Sequence, residues 1–100
     1  MLVATDYADA CPIETVALEV ASSNEPLRIA TAEVFESWIV AATTRFEAAG
    51  LDGGAARELA ITFLNLLEGA FILSRASRTT EALDVAGRSA ATLVEAAFRE

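Results

Sequence analysis

Few side chains in this sequence could do covalent or acid–base chemistry. Cys11 is the only cysteine, and there is no His and no Lys. A Ser or Cys nucleophile needs a base within hydrogen-bond reach, and here only carboxylates and Tyr7 remain for that task. Cys11 precedes Pro12 at the start of a helix. A helix N-terminus can lower a thiol pKa and suit redox or ligand sensing, but the favoured reading is an inert small residue beside the first helix. Glu33 and Glu36 are spaced as a carboxylate pair, yet with Glu47 they fall on the face that reads as solvated. A di-metal bundle needs Glu-x-x-His pairs, which a chain without His cannot supply. Gly53-Gly54 reads as a helix start and not as a phosphate loop. The expectation is no catalytic residue, no metal, no cofactor and no enzyme.

One acid is less easily dismissed. Glu68 interrupts an apolar run and lies on the same helical line as Arg57 and Arg75. Two readings stand side by side: a buried or interfacial charge that sets register between subunits, or an exposed charge at the edge of the apolar arc.

Composition narrows the classes further. One hundred residues make one domain. Hydrophobic residues are 54%, and 22 residues are Ala. This is too apolar for disorder. Fifteen acids against seven Arg leave a net charge of −8, a poor match for phosphate backbones, so direct nucleic-acid contact by these residues is not expected. A lone cysteine fits a reducing compartment. The longest charge-free run is Leu59 to Leu67, against the ~20 residues of a membrane-spanning helix. Met1 to Asp9 carries acids and no Arg, unlike a secretory signal. A soluble cytoplasmic protein without a membrane partner is expected.

The elements that position these residues are helices. Pro12 and Pro26 suit helix first turns, Gly50 a C-cap, and Asp52 and Thr79 or Thr80 suit N-caps. No segment alternates with period two. The prediction is an all-α bundle of four main helices over about 12–23, 25–49, 53–77 and 80–98 in a single domain, residues 1–100, dimerising through the last two helices.

The apolar arcs carry that last expectation. On the second helix Leu27, Ala30, Val34, Phe35, Trp38, Ile39, Ala41, Ala42 and Phe46 share one side. On the third, Leu59, Ala60, Phe63, Leu64, Leu66, Leu67, Ala70, Phe71 and Leu73 cover about 180°, and Ile61 and Ile72 widen the arc. A surface helix of a monomer needs only about 100°. On the fourth, Leu83, Ala86, Ala90, Leu93 and Ala97 follow the 3-4-3-4 spacing of a packed seam, with Gly87 beside it. Asp84–Arg88 and Glu95–Arg99 are spaced as i,i+4 ion pairs on the opposite face. The expected homodimer interface is Leu64, Glu68, Phe71, Ile72, Leu83, Ala86, Gly87, Ala90, Leu93 and Ala97. The aromatics of the two long helices either pack as an ordinary core or line an apolar ligand pocket.

Two stretches suggest a family. Cys11-Pro12-Ile13-Glu14-Thr15-Val16-Ala17-Leu18-Glu19 opens a helix, and Leu67-Glu68-Gly69-Ala70-Phe71-Ile72-Leu73-Ser74-Arg75-Ala76 lies within another. Together they resemble the C-terminal domain of TetR-family transcriptional regulators, in particular the LmrA/YxaF-like group, over about Asp9 to Ala97. The resemblance implies a regulatory domain that pairs through its last two helices and encloses a mostly apolar pocket for a small inducer. It places that pocket near Phe35, Trp38, Phe63 and Leu67. It also implies that DNA is met only through an N-terminal helix-turn-helix, for which these 100 residues show no segment. The expected function is therefore the effector-binding and dimerisation domain of a TetR-like repressor. The alternative is a free-standing helical protein–protein interaction module.

Overall fold

The computed structural model describes residues 11–20 and 23–99. It contains four helices, α1 (Pro12–Val20), α2 (Glu25–Ala48), α3 (Gly53–Ser77) and α4 (Glu81–Ala97), and no strand among the described residues. The expected continuation of the first helix through 21–22 and the side chain of Tyr7 lie outside those residues, and Ser23 already belongs to a turn.

Three of the four helices begin where a side chain satisfies an orphan amide. At α1 the Glu14 amide donates to Cys11 Sγ at 3.4 Å and the Thr15 amide to the Cys11 carbonyl at 3.1 Å. Pro12 takes the first helical position, where no amide proton is needed. Asn24 caps α2 by accepting from the Leu27 amide at 3.1 Å, with Pro26 in the first turn. Asp52 caps α3 by accepting from the Ala55 amide at 3.0 Å. Thr80 takes the cap position of α4, but its hydroxyl makes no cap bond and instead reaches Asp84 at 3.5 Å. The α2–α3 corner turns at Gly50, whose φ of +119° is open to a residue without Cβ. Arg78 makes the α3–α4 corner in the left-handed region at φ 57°, an uncommon backbone for a residue with a side chain.

α3 is the central helix. α2 packs along one side of it and α4 along another, while α1 lies mainly on α2. The breadth of its apolar arc is thus partly used inside the chain. By length and composition alone α3 is apolar enough to cross a bilayer, but its neighbours on two sides make it the core helix of a bundle. The helices meet through small residues. Ala56 and Ala60 are 0% and 2% exposed, Ala70 and Ala90 are also buried, and Ser74 is fully enclosed. Large side chains stay half-covered: Trp38, Phe63, Leu73 and Leu93 are 40–61% exposed. The molecule is a slab of 41 × 34 × 19 Å with a radius of gyration of 15.0 Å, above the ~13 Å of a compact 100-residue domain. Its thickness is about two helix diameters, so four helices leave wide faces open.

Polar contacts across helices are sparse. Arg57 of α3 donates to both carboxylate oxygens of Glu36 on α2, at 2.7 and 2.9 Å, in the open. Arg28 grips Glu25 one turn back on α2. The pairs expected at Asp84–Arg88 and Glu95–Arg99 do not close. Exposed i,i+4 pairs are worth only about 0.3–0.5 kcal/mol, too little to hold long side chains in one geometry. Arg57, expected on the line of Glu68, is drawn instead across to α2.

Close packing through alanine makes a clear prediction. Ala56→Leu adds three carbons at a fully buried position and costs about 1–3 kcal/mol. The same change at exposed Ala48 stays within about 0.5 kcal/mol. Urea denaturation midpoints of the two variants should separate accordingly.

Candidate ligand groove and apolar pairing face

Three of the four residues singled out for a ligand come together. Trp38 and Ile39 of α2 face Ala60, Phe63, Leu64 and Leu67 of α3 across an apolar groove of about 190 Å³. The spacing explains the meeting: positions 60, 63, 64 and 67 recur on one stripe of α3, and 38, 39 and 42 on one stripe of α2. Phe35 does not line this groove. It packs edge-on to Trp38, ring centroids 5.5 Å apart. Its other side opens on a neighbouring groove of about 160 Å³ with Ala17 of α1 and Arg28 and Thr31 of α2.

Between these grooves the junction of α1, α2 and α3 is polar at its centre. Glu14 is 9% exposed and Thr31 7%; the Thr31 hydroxyl donates to the Leu27 carbonyl at 2.7 Å. Glu68 turns toward α1, where its carboxyl meets Glu14 and Cys11. Its Oε2 is buried without a hydrogen-bond partner. Glu68 is half-buried overall, and its Oε2 is enclosed within the chain. Enclosure, and then the hydrogen bond and charge of Glu68, push the Glu14 carboxyl up to about 7. Enclosure also pushes the Cys11 thiol above its ordinary range, outweighing the lowering by the Glu14 amide. The lowered thiol that a helix N-terminus could have produced is therefore not found. Glu14 is the feature the sequence reading missed. Its only signal was a charged residue on the inner line of α1, one turn after Cys11.

The residues expected at a dimer interface spread over several surfaces. Leu64 lines the α2–α3 groove. Ile72 lines a groove of about 410 Å³ between α1 and α3, shared with Glu14, Leu18, Glu19, Arg75 and Ala76. Leu83, Ala86, Gly87 and Ala90 face Phe63, Leu66 and Leu67 of α3 in a narrow cleft, so the 3-4-3-4 seam is largely an internal one. Phe71 and Ala97 are half-buried and Leu93 is exposed. On the other side of the α3–α4 contact lies a wider apolar groove of about 540 Å³, with Leu66, Gly69 and Leu73 facing Ala82, Val85, Ala86 and Ser89. Leu73 is 61% and Val85 45% exposed there. A Cβ added at Gly69 or Gly87 would touch nothing within 4 Å, so no packing inside the chain requires these glycines. No group of three or more metal-ligating side chains occurs among the described residues.

These features sit in a sequence whose relatives are regulators. Residues 1–89 match the family described as transcriptional regulator LmrA/YxaF-like, C-terminal domain. The chain belongs to this TetR-type family. It is 34% identical over 104 residues, 99% of its length, to uncharacterized HTH-type transcriptional regulators from the Oshkosh and H37Rv strains of Mycobacterium tuberculosis. The chain spans about half the length of these relatives, 54% of each. No solved structure matches. As a TetR-family C-terminal domain it is all-helical, in agreement with the four-helix prediction.

Proposed function

We propose that this domain binds a small apolar effector and pairs with a second copy of itself, coupling ligand occupancy to DNA release in a complete repressor. The observation that carries the reading is the groove in which Trp38, Phe63 and Leu67 converge. Its walls belong to helices that meet through alanine, so a ligand seated there pushes directly on the α2–α3 crossing. A ligand that prefers one arrangement of α2 and α3 shifts the population toward it. Pairing through the α3–α4 face transmits the shift to two DNA-reading heads, whose separation decides whether both half-sites are met. The heads belong to a part of the regulator outside these residues, because a chain of net charge −8 repels DNA. No catalysis is assigned, and the place of action is the cytoplasm.

Trp38 is the only Trp and lies at the site, which gives a direct test. Across a panel of planar apolar compounds, binders should change Trp38 emission and raise the unfolding midpoint together. Phe63→Ala should weaken the best binder about tenfold, about 1.4 kcal/mol. A panel with no change in either signal overturns the effector reading and leaves the interaction-module alternative.

A further inference from the structure

We infer that the effector is an elongated, uncharged molecule of two rings that lies across Phe63 and Leu67, one ring beside Trp38 and the other in the α3–α4 cleft at Gly87. The inference rests on the effector-binding reading and adds the chemical class of the ligand and the residue that limits its length.

The groove that holds Trp38 does not end at α3. Phe63 and Leu67 line it from one side and line the α3–α4 cleft from the other. The two hollows therefore form one furrow from α2 to α4, floored by these two side chains. Beyond Ala42 and Ala90 the Phe46 and Phe98 rings meet with centroids 6.5 Å apart, so α2 and the end of α4 converge at one end of the furrow. The wider groove around Leu73 and Val85 opens on the other side of the α3–α4 contact, so pairing there leaves the furrow reachable.

Size and lining set the class. The groove measures about 190 Å³ and the cleft about 100 Å³. An apolar cavity of about 150 Å³ takes one benzene, so the groove alone seats one ring. The two hollows together approach the ~300 Å³ at which small-molecule sites begin. Every described residue lining either hollow is apolar or glycine. A charge brought there loses water and gains no partner. The rings of Trp38 and Phe63 favour an aromatic occupant, stacked edge-on or offset.

Gly87 admits the second ring. It lies inside α4, where glycine is costlier than alanine. A Cβ there would meet nothing within 4 Å, so α3 does not demand the missing side chain. Because Gly87 lines the cleft, a longer side chain at this position takes the space that the second ring needs. A ligand seated in both hollows touches α2, α3 and α4 at once, and so fixes α4, a pairing helix of the proposed dimer, against α2.

The test is titration of Trp38 emission with toluene, biphenyl and biphenyl-4-carboxylate. Biphenyl should bind about tenfold more tightly than toluene, because its second ring also leaves water. It should bind about tenfold more tightly than the carboxylate, whose charge finds no partner. Gly87→Leu should lower biphenyl affinity about tenfold and change that of toluene, which does not reach position 87, by less than about threefold. Gly87→Ala should give an intermediate loss for biphenyl alone. Both variants should keep the wild-type circular dichroism; should Gly87→Leu unfold, Gly87→Ala decides by the same criterion. Three results each overturn the assignment: biphenyl affinity untouched at Gly87, toluene and biphenyl weakened alike, or the carboxylate bound as tightly as biphenyl. Toluene binding then sustains the effector reading without it. If none of the three compounds changes Trp38 emission, both fall.

Discussion

Glu14→Gln raises the stability of the domain at pH 8 by about 2–3 kcal/mol and removes most of its pH dependence between pH 5 and 8. The sign follows from the direction of the shift. The Glu14 carboxyl titrates at about 7 in the folded chain and near 4.3 when unfolded. In that interval the folded state binds more protons, so stability falls as pH rises. The contribution of protonated Glu14 is complete below about pH 4.3 and lost once pH passes about 7. Gln keeps the shape and the ability to hydrogen-bond Glu68 but cannot ionise. For a domain of this size the gain corresponds to roughly 10 °C in unfolding midpoint. The measurement is thermal unfolding of wild type and variant at pH 5, 6, 7 and 8. The two curves should approach one another toward pH 5 and lie far apart at pH 8. Parallel curves would show that Glu14 meets water in the folded state.

If two copies pair through the α3–α4 face as proposed, Leu73→Glu should leave a monomer of 10.5 kDa, half the wild-type mass, with helicity retained. Leu73 is 61% exposed in the single chain, so a carboxylate there is solvated in the monomer. Pairing would place it against the apolar α3–α4 groove of the partner, where an unpaired charge costs several kcal/mol. Val85→Glu on the opposite wall of the groove should act alike. The charge at Ala90, suggested by the 3-4-3-4 seam alone, is the wrong probe. Ala90 is buried against α3, and a Glu there would unfold the chain before it reported on association. Sedimentation equilibrium at micromolar concentration decides the matter: a Leu73→Glu chain with wild-type mass rules this face out. The open space beside Gly69 in the same groove and the slab-like shape favour the face. Two slabs stacked through it would restore the compactness that one chain lacks.

How far the chain could be read without coordinates differs from feature to feature. Helix boundaries were legible because capping is local. Pro26, Asp52 and Gly50 act within three residues of themselves, and α3 spans Gly53–Ser77 as its periodicity predicts. The meeting of Trp38, Phe63 and Leu67 was legible because stripes of apolar residues on consecutive antiparallel helices face one another. The resemblance carried by the Cys-Pro opening and the Leu-Glu-Gly-Ala run was legible for a different reason, since it compares whole patterns and not forces. Which neighbour each remaining apolar stripe meets was not legible. Periodicity reports that a stripe is apolar, not which neighbour it meets. Leu83, Ala86 and Ala90 met α3 of their own chain, while Leu73 and Val85 were left outside.

The sequence by itself determined four helices, their ends, a core of small residues and membership in a family of regulators, because propensity, capping and period act over one or two turns. Only the tertiary structure decided that Glu68 turns inward and finds Glu14, 54 positions earlier in the chain. That meeting depends on how α1 lies across the junction of α2 and α3. Such a placement is set by the packing of all three helices at once and leaves no trace in the spacing of either acid.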